Sequence, residues 1–167
     1  NVNYLSRGTT QDGSKNFDAH YLFFNPKIGV NYAVNSSHKL YFFSGVGQKE
    51  PNRSDFADAK MGAFPKAEKM LNIELGHVYQ SSKVVLENNL YAMLYQDQLI
   101  QTGAVNDVGA YIRQNVDKSY RLGWEQHLEW QIVPKLKFKS AQTLSINKIM
   151  EYTYTIPAYN DDNSINI

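Results

Sequence analysis

The sequence lacks cysteine, long hydrophobic runs and any clear excess of charge. The absence of Cys excludes disulfide bonds, thiolate metal ligands and a cysteine nucleophile. No window approaches the roughly 18 consecutive apolar residues of a transmembrane helix, which leaves open a membrane β-barrel, because its strands are only half apolar. The net charge is +1, from 17 Lys and Arg against 16 Asp and Glu, so no nucleic-acid partner is expected. Nucleophile-elbow, phosphate-loop and dinucleotide-binding motifs are also missing, so we expect neither an enzyme nor a bound cofactor.

Aromatic residues, in contrast, are abundant. The chain has 12 Tyr, 8 Phe and 2 Trp among 167 residues, yet its mean hydropathy is −0.49 because Asn, Gln and Ser are also frequent. Such a mixture is typical of strands that present one apolar face and one polar face.

Residues 119–132 show the clearest alternation. Six of the seven even positions are apolar or aromatic, namely Tyr120, Leu122, Trp124, Leu128, Trp130 and Ile132. The odd positions are all polar or Gly, namely Ser119, Arg121, Gly123, Glu125, His127, Glu129 and Gln131. A period of two residues over this length predicts a β-strand, longer than the roughly 5–6 residues usual in soluble proteins.

The same alternation predicts three hairpins. Their paired runs are residues 27–34 with 38–48, 71–79 with 83–100, and 119–132 with 135–150. Tight turns lie near residues 36, 82 and 133, whereas the other connections, 49–68, 101–111 and the part after 150, are long and polar. Alternating short and long connections are typical of an outer-membrane barrel. We therefore predict an all-β fold in which long antiparallel up-and-down strands form an arc of a transmembrane β-barrel.

Aromatic positions support this arrangement. Tyr32, Tyr79 and Trp130 lie on the apolar parity within a few residues of a tight turn, as one aromatic girdle would require. Tyr120 lies ten residues from Trp130 on the same face, which at ~3.3 Å per residue and ~40° tilt spans about 25 Å, the height of the apolar band. The alternative interpretation is that these rings fill a soluble core.

Residues 1–167 are expected to be a single unit and a partial β-barrel segment, without a plug domain and the remaining strands. Six long strands are predicted, with a seventh beginning at Tyr152, whereas the smallest single-chain barrels have 8. The chain begins with Asn1 rather than Met, shows no signal peptide, and ends at Ile167 without a terminal aromatic residue.

Several phrases in residues 20–150 resemble the barrel of TonB-dependent outer-membrane receptors. They are Asn25-Pro26-Lys27-Ile28-Gly29, Glu50-Pro51-Asn52-Arg53, Pro65-Lys66-Ala67-Glu68-Lys69 before Asn72-Ile73-Glu74-Leu75-Gly76, Leu94-Tyr95-Gln96-Asp97-Gln98-Leu99-Ile100, and Asn115-Val116-Asp117-Lys118-Ser119 before Gly123-Trp124-Glu125. The resemblance implies a bacterial outer-membrane location, a 22-strand barrel closed by an N-terminal plug, and energised uptake through contact with TonB. The imported nutrient would be a metal chelate, such as a siderophore, haem or a cobalamin-like compound, or another small compound.

The polar parity contains the candidate site residues. We expect a lumen face formed by Glu74, Glu87, Arg121, Glu125 and Glu129 to meet the plug domain. The outer loops 49–68 and 101–111 would capture the ligand, and the apolar parity would face lipid. Arg121 is expected to pair with the carboxylates of its own face.

Other polar groups are interpreted as structural. Glu125, His127 and Glu129 could hold a cation, but neighbouring side chains on one face of a strand are about 7 Å apart, so a polar wall is favoured and no metal site is predicted. His20, His38 and His77 show no ligand spacing. The segment 161–164 resembles half a calcium loop without its Gly and closing Glu, and is interpreted as a solvated loop, as is the charged run 53–60.

Two other functions remain open at this stage. A soluble all-β ligand-binding module would need strands that close around a dry interior, and an outer-membrane enzyme would need a nucleophile and a base at one rim. The isolated fragment would expose two sheet edges and an apolar face, so self-association is expected, or else a rearranged sheet that buries Trp124 and Trp130.

Overall fold

The computed structural model describes residues 4–9, 16–59, 64–106, 109, 111–152, 158–159 and 165–166. Its elements in chain order are β1 (Tyr4–Thr9), β2 (Asn16–Tyr21), β3 (Lys27–Ala33), β4 (His38–Lys49), α1 (Arg53–Ala57), β5 (Glu68–Gln80), β6 (Val84–Val105), β7 (Tyr111–Val133), β8 (Leu136–Ile149), β9 (Ala158–Tyr159) and β10 (Ile165–Asn166). Within the described residues, no helix is long and apolar enough to cross a membrane.

Six strands, β3 to β8, form one antiparallel sheet in which each strand pairs with its neighbour in the sequence. This order confirms the predicted up-and-down, all-β architecture. Two further pairs were not predicted: β1 with β2, and β9 with β10. The seventh strand predicted to begin at Tyr152 is not seen at that residue, and positions 153–157 lie outside the described part of the chain.

Cross-strand pairing divides the sheet into two faces. The apolar face comprises the even positions of β3, β4, β6, β7 and β8 and the odd positions of β5, and the polar face comprises the others. One row of the apolar face runs through Phe42, Leu75, Leu90, Trp124 and Leu144. The sequence alternation therefore corresponds to a physical separation of side chains across one sheet.

The tight turns are closed by side chains near the chain reversal. The Asn35 side-chain oxygen accepts hydrogen bonds from the backbone N–H groups of Ser37 at 2.8 Å and His38 at 2.9 Å. In the second turn, the Ser81 hydroxyl accepts a bond from Val84 N–H at 3.0 Å. In the third, the Gln131 amide donates to the Val133 carbonyl at 2.6 Å. Asn and Ser favour such turns because their short side chains satisfy nearby backbone groups.

Successive turns are staggered along the strand direction. Register aligns the ladder end of the first turn, at Lys39, with His127 on β7, through Val78 and Glu87. The second turn ends its ladder at Val85, aligned with Glu129, and the third turn follows Val133. Tilted strands whose turns lie at one membrane surface require a progressive shift of this kind, so the stagger matches barrel geometry.

The connection between β6 and β7 differs from the prediction. Residues 101–105 belong to β6 and Tyr111 belongs to β7, so the prediction of a long polar loop over 101–111 is wrong. The two strands have 22 and 23 residues, although a barrel strand needs only about 9–11 to cross a bilayer. This hairpin is therefore long enough to extend well beyond a bilayer at the outer end, defined as the strand ends opposite the tight turns.

Little of the sheet is buried within the chain itself. Among the described residues, the buried hydrophobic side chains are Phe56 at 3 % exposure and Val116 at 4 %. Leu144 on the apolar face is 67 % exposed and Trp130 is 45 % exposed, so the chain is an open sheet and not one rearranged to bury both Trp residues. A single sheet with this face uncovered needs an apolar environment.

Candidate functional site: the polar face and the outer end

Three candidate carboxylates lie close together on the polar face. Pairing places Glu87 opposite His127 on β7, and Glu125 opposite Asn89 on β6. Glu74 on β5 lies opposite Tyr91. All three are within electrostatic range of the Tyr41 side chain on β4. The structure thus brings together predicted residues from three strands, which sequence spacing alone does not show.

Two of these carboxylates have amide partners, and none of the three has a cationic one among the described residues. Glu74 accepts a hydrogen bond from the Asn72 amide at 2.6 Å, and Glu125 accepts one from the Asn89 amide at 3.4 Å. Across the described ranges, no Lys or Arg nitrogen forms an ion pair with Glu74, Glu87 or Glu125. Three carboxylates on one surface without a cation from this sheet favour a positively charged partner in front of it.

Arg121 does not pair with them. Its guanidinium lies over the Tyr95 ring, with 5.4 Å between the guanidinium carbon and the ring centroid. The expected ion pairs within its own face are therefore wrong. The geometry is that of a cation–π contact.

Glu129 differs from the other four candidates because it is already paired within the wall. Lys139 Nζ lies 2.6 Å and Lys137 Nζ 3.3 Å from its carboxylate oxygens, both across the β7–β8 hairpin. His127 Nε2 approaches the same carboxylate at 3.4 Å. Glu129 therefore stabilises the turn end of the sheet, and its charge is balanced locally.

The possible cation site at Glu125, His127 and Glu129 does not assemble. His127 and Glu129 are in contact, but the Glu125 carboxylate accepts a hydrogen bond from the Asn89 amide instead. No group of three His, Asp or Glu residues suited to a metal ion occurs in the ranges that the structure describes. Segment 161–164, the half calcium loop, lies outside those ranges.

Aromatic rings lie flat against glycines on the polar face. Tyr41 covers Gly76 and Tyr91 covers Gly123, each directly opposite its glycine across the strand pair. A Cβ added at either glycine would overlap the facing ring. Each ring thus occupies the space that a side chain at the glycine position would fill, and it covers the backbone there.

The connection between β4 and β5 is folded onto the sheet. Residues 53–57, expected to be loop, form the short helix α1, and Asp55 is only 5 % exposed. The Asp55 carboxylate accepts a hydrogen bond from Asn52 N–H at 2.7 Å and lies 3.8 Å from Arg113 on β7. A buried carboxylate held by a backbone donor and an Arg ties this loop to the extended hairpin.

A second tie, the outer clamp, consists of Lys66, Asp97 and Asn115. The Asn115 carboxamide accepts from Lys66 N–H at 2.7 Å and donates to the Lys66 carbonyl at 3.0 Å and to the Asp97 carbonyl at 2.6 Å. Lys66 Nζ lies 3.4 Å from the Asp97 carboxylate. Asp97 has a φ of 53°, a left-handed conformation that Asp tolerates. Sequence reasoning assigned none of these residues a role, because the contacts join segments far apart in the chain.

Two histidines at the turn end also form a pair that their spacing did not predict. His38 Nδ1 and His77 Nε2 are 3.0 Å apart on the apolar face, and the rings are nearly parallel with centroids 5.3 Å apart. The centroid distance equals the nitrogen distance plus about one ring radius on each side, so the nitrogens point at each other. This is a hydrogen bond between imidazoles, in which one ring nitrogen donates and the other accepts according to the tautomer.

Comparisons with known proteins agree with this architecture. The family model described as "TonB dependent receptor-like, beta-barrel" matches residues 1–166. A solved structure titled "Copper transporter OprC" is similar at 17 % identity and a TM-score of 0.64, over 74 % of this chain and 20 % of that one. The closed form of the ferric-catecholate import receptor Fiu from E. coli K12 is similar at 20 % identity and a TM-score of 0.57, over 93 % of this chain and 23 % of that one. Curated proteins gave no match.

The two structural likenesses support the fold alone, and the chain spans about a fifth of either structure. The family match carries more, because it extends over almost all of the chain. It favours the membrane barrel over a soluble binding module, and it is a family of receptors rather than of enzymes. The chain belongs to the TonB-dependent receptor β-barrel family, and its strands lie in the outer membrane of a Gram-negative bacterium.

Proposed function

We propose that this chain is part of the wall of an outer-membrane receptor that imports a small nutrient with energy delivered through TonB. Its apolar face contacts lipid, and its polar face lines the lumen. The nutrient is a metal chelate, a class favoured because the two similar structures are a copper transporter and a ferric-catecholate import receptor. The plug domain, the TonB-contacting segment and the remaining strands would be supplied by other parts of a longer protein.

The observation that carries the proposal is the group of carboxylates at Glu74, Glu87 and Glu125. Their charge is not balanced by cations of the described sheet, so a basic surface of the plug is the natural partner. Arg121, held against Tyr95, would meet an acidic or carbonyl group of the same plug. The wall contributes position and charge, and it carries out no bond chemistry.

Ligand capture is assigned to the outer end. The described parts of loop 50–67, residues 50–59 and 64–67, pack on the extended β6–β7 hairpin through α1 and the outer clamp, so both elements form one outer surface. In this mechanism the nutrient binds at that surface, the plug rearranges when TonB pulls on it, and the nutrient passes along the polar face.

Uptake by whole cells tests this function. The full-length receptor is expressed in a strain without its own receptors, and radiolabelled ferric catecholate, copper, haem and cobalamin are supplied one at a time with and without TonB. TonB-dependent uptake of at least one chelate is expected. Equal uptake of every compound with and without TonB would refute the proposal.

Contact with the plug is tested by a pair of variants. Replacing Glu74 and Glu125 together with Gln removes two unbalanced charges at nearly constant volume, and should loosen the plug and sensitise cells to large antibiotics. Glu129→Gln is the matched control, because Lys137 and Lys139 already engage that carboxylate. Equal sensitivity in both strains, with equal receptor levels, would contradict the contact.

A further inference from the structure

A row of polar residues directly follows the last apolar row of the lipid-facing side at the outer end. Register places four residues of the last apolar row side by side across β4 to β7, namely Val46, Leu71, Leu94 and Tyr120. The next row outward on the same face, which we call the basic row, consists of Gln48, Lys69, Gln96 and Lys118. The pairing is continuous between the two rows, so two lysines and two carboxamides lie where the alternation places lipid-facing residues.

The two lysines of the basic row are not neutralised by the wall. In the described part of the chain, the Lys69 and Lys118 ammonium groups form no ion pair and no hydrogen bond, and both side chains are exposed. Lys49 on the polar face of the same end differs, because its Nζ lies 3.6 Å from the Glu68 carboxylate. The unpaired positive charge therefore favours an anion in front of the lipid-facing side.

Further strands of a barrel do not reach these lysines, because such strands can pair only with β3 and β8, the two edges of this sheet. Lys69 lies between Gln48 and Gln96 on neighbouring strands. Lys118 lies between Gln96 and Met150, whose backbone N–H donates to the Lys118 carbonyl at 3.0 Å. Both lysines thus belong to internal strands, and their side chains face the surroundings of the barrel.

The basic row lies at the depth of the lipid headgroups. Lys118 is two residues beyond Tyr120, the ring that marks the outer aromatic girdle on β7. At ~3.3 Å per residue and ~40° tilt, this separation is about 5 Å along the membrane normal. A lysine at this depth keeps its aliphatic stem against apolar side chains and reaches the headgroups with its ammonium group.

A groove runs between the two lysines and into the apolar face. It is lined by Lys69, Leu71, Leu94, Tyr95, Gln96 and Lys118. Because neighbouring strands are about 4.8 Å apart, the backbones of Lys69 and Lys118 are about 10 Å apart, which lets both flexible side chains reach one phosphate between them. The groove therefore fits an amphipathic molecule that has an anionic headgroup and an acyl chain.

We propose that the basic row binds a phosphate of the phosphorylated glycolipid in the outer leaflet of the outer membrane, with an acyl chain of this lipid over Leu71 and Leu94. Phosphate fits the charge of the row, and the Gln96 amide adds a donor between the two ammonium groups. The outer leaflet is the source, because the row lies at the outer end of the strands. This lipid site is separate from nutrient uptake, and it does not depend on TonB.

Lipid binding to the purified full-length receptor in detergent tests the site, with native mass spectrometry as the measurement. The probe is bisphosphorylated lipid A, and the comparison lipids are the same lipid A without its phosphates and dioleoyl phosphatidylglycerol. Lys69→Gln combined with Lys118→Gln removes both charges and keeps polar side chains. The matched control combines Lys83→Gln with Lys135→Gln, which removes two exposed lysines at the turn end.

The Lys69 and Lys118 double variant should bind bisphosphorylated lipid A at least tenfold more weakly than the control variant. Arg at both positions should restore binding, because guanidinium groups also bind phosphate. The heat-modifiable gel shift reports whether each variant is folded, and Lys118→Gln alone, expected to weaken binding several-fold, replaces the double variant if that one does not fold.

Two results would overturn the proposal outright: equal affinity in the folded Gln variant and the control, or equally tight binding of lipid A without its phosphates. Phosphatidylglycerol that binds as tightly as lipid A, and loses its affinity in the same variant, would assign the site to a phospholipid and overturn the outer-leaflet source.

Discussion

Arginine substitutions at two adjacent positions of β8 separate the two faces of the sheet. Leu144 lies on the apolar face opposite Trp124, and Thr143 lies on the polar face opposite Glu125. Both side chains are exposed and differ by one residue in depth. Leu144 is 67 % exposed, so its side chain makes few contacts within residues 1–167. Any large difference between Leu144→Arg and Thr143→Arg must come from what each face contacts.

The expected magnitudes follow from the membrane position. An Arg on the lipid face near the bilayer midplane costs about 2–4 kcal/mol, and Leu144 lies between Phe138 near the turn and Lys148 at the other end of the same face. Thr143→Arg should cost less than about 0.5 kcal/mol, because Glu125 lies directly across the strand pair and opposite charges there are favourable. The predicted difference is therefore about 2–4 kcal/mol in the free energy of folding.

The measurement is folding of the full-length receptor into lipid vesicles over a urea series, followed by the heat-modifiable gel shift. The urea midpoint of Leu144→Arg should fall well below that of the unsubstituted receptor, and that of Thr143→Arg should stay close to it. Equal midpoints for the two variants would refute the face assignment. A larger loss for Thr143→Arg would mean that the sheet is inverted, with the acidic face towards lipid.

Three further predictions concern packing and the outer end. Gly123→Ala should destabilise the barrel by about 1–3 kcal/mol through overlap with the Tyr91 ring, and a Tyr91→Ser background should remove most of that loss in a double-mutant cycle; additive losses would contradict the contact. Asn115→Ala should speed hydrogen exchange and proteolysis in loop 50–67 and leave the strands protected; unchanged exchange would show that the clamp does not hold the loop. Glu129→Gln should weaken the β7–β8 turn at low salt and much less at high salt, measured as a change in urea midpoint; a salt-independent loss would argue against its ion pairs.

Strands were predictable where one face contacts lipid and the other contacts water. Lipid on one side and water on the other impose a period of two residues, and β7 and β8 were located within a residue at the turn ends. Beyond the membrane neither face has to contact lipid, so the alternation is no longer required. The polar residues 101–105 were therefore predicted to be a loop, although they extend β6. The β1 and β2 strands were missed, whereas the Asn and Ser turn residues marked the reversals correctly.

Parts of the candidate site could be predicted only as a face. Alternation placed Glu74, Glu87 and Glu125 on one side of their strands, but it could not show that pairing brings them together. The contact partners of these side chains were harder to predict than their positions. Arg121 was expected beside a carboxylate and instead lies over an aromatic ring. A long, flexible side chain can contact several neighbouring residues, and only the strand register shows which neighbours are within reach.

The side-chain bonds that close the tight turns and those that hold the outer loop differ in sequence separation, and this difference bears on which part responds to a ligand. At the turn end, Asn35 and Ser81 bond to groups two or three residues away, so these contacts form with the hairpins themselves. At the outer end, Asn115 bonds to Lys66 across 49 residues and Asn106 bonds to Asp58 across 48. Side-chain contacts, including those of the buried Asp55 and Phe56, hold the described parts of loop 50–67, whereas continuous backbone ladders hold the strands. Opening the loop at Lys66 therefore breaks no strand ladder, and we expect a ligand that competes for the Asn115 carboxamide to loosen this part of the loop while the wall stays intact.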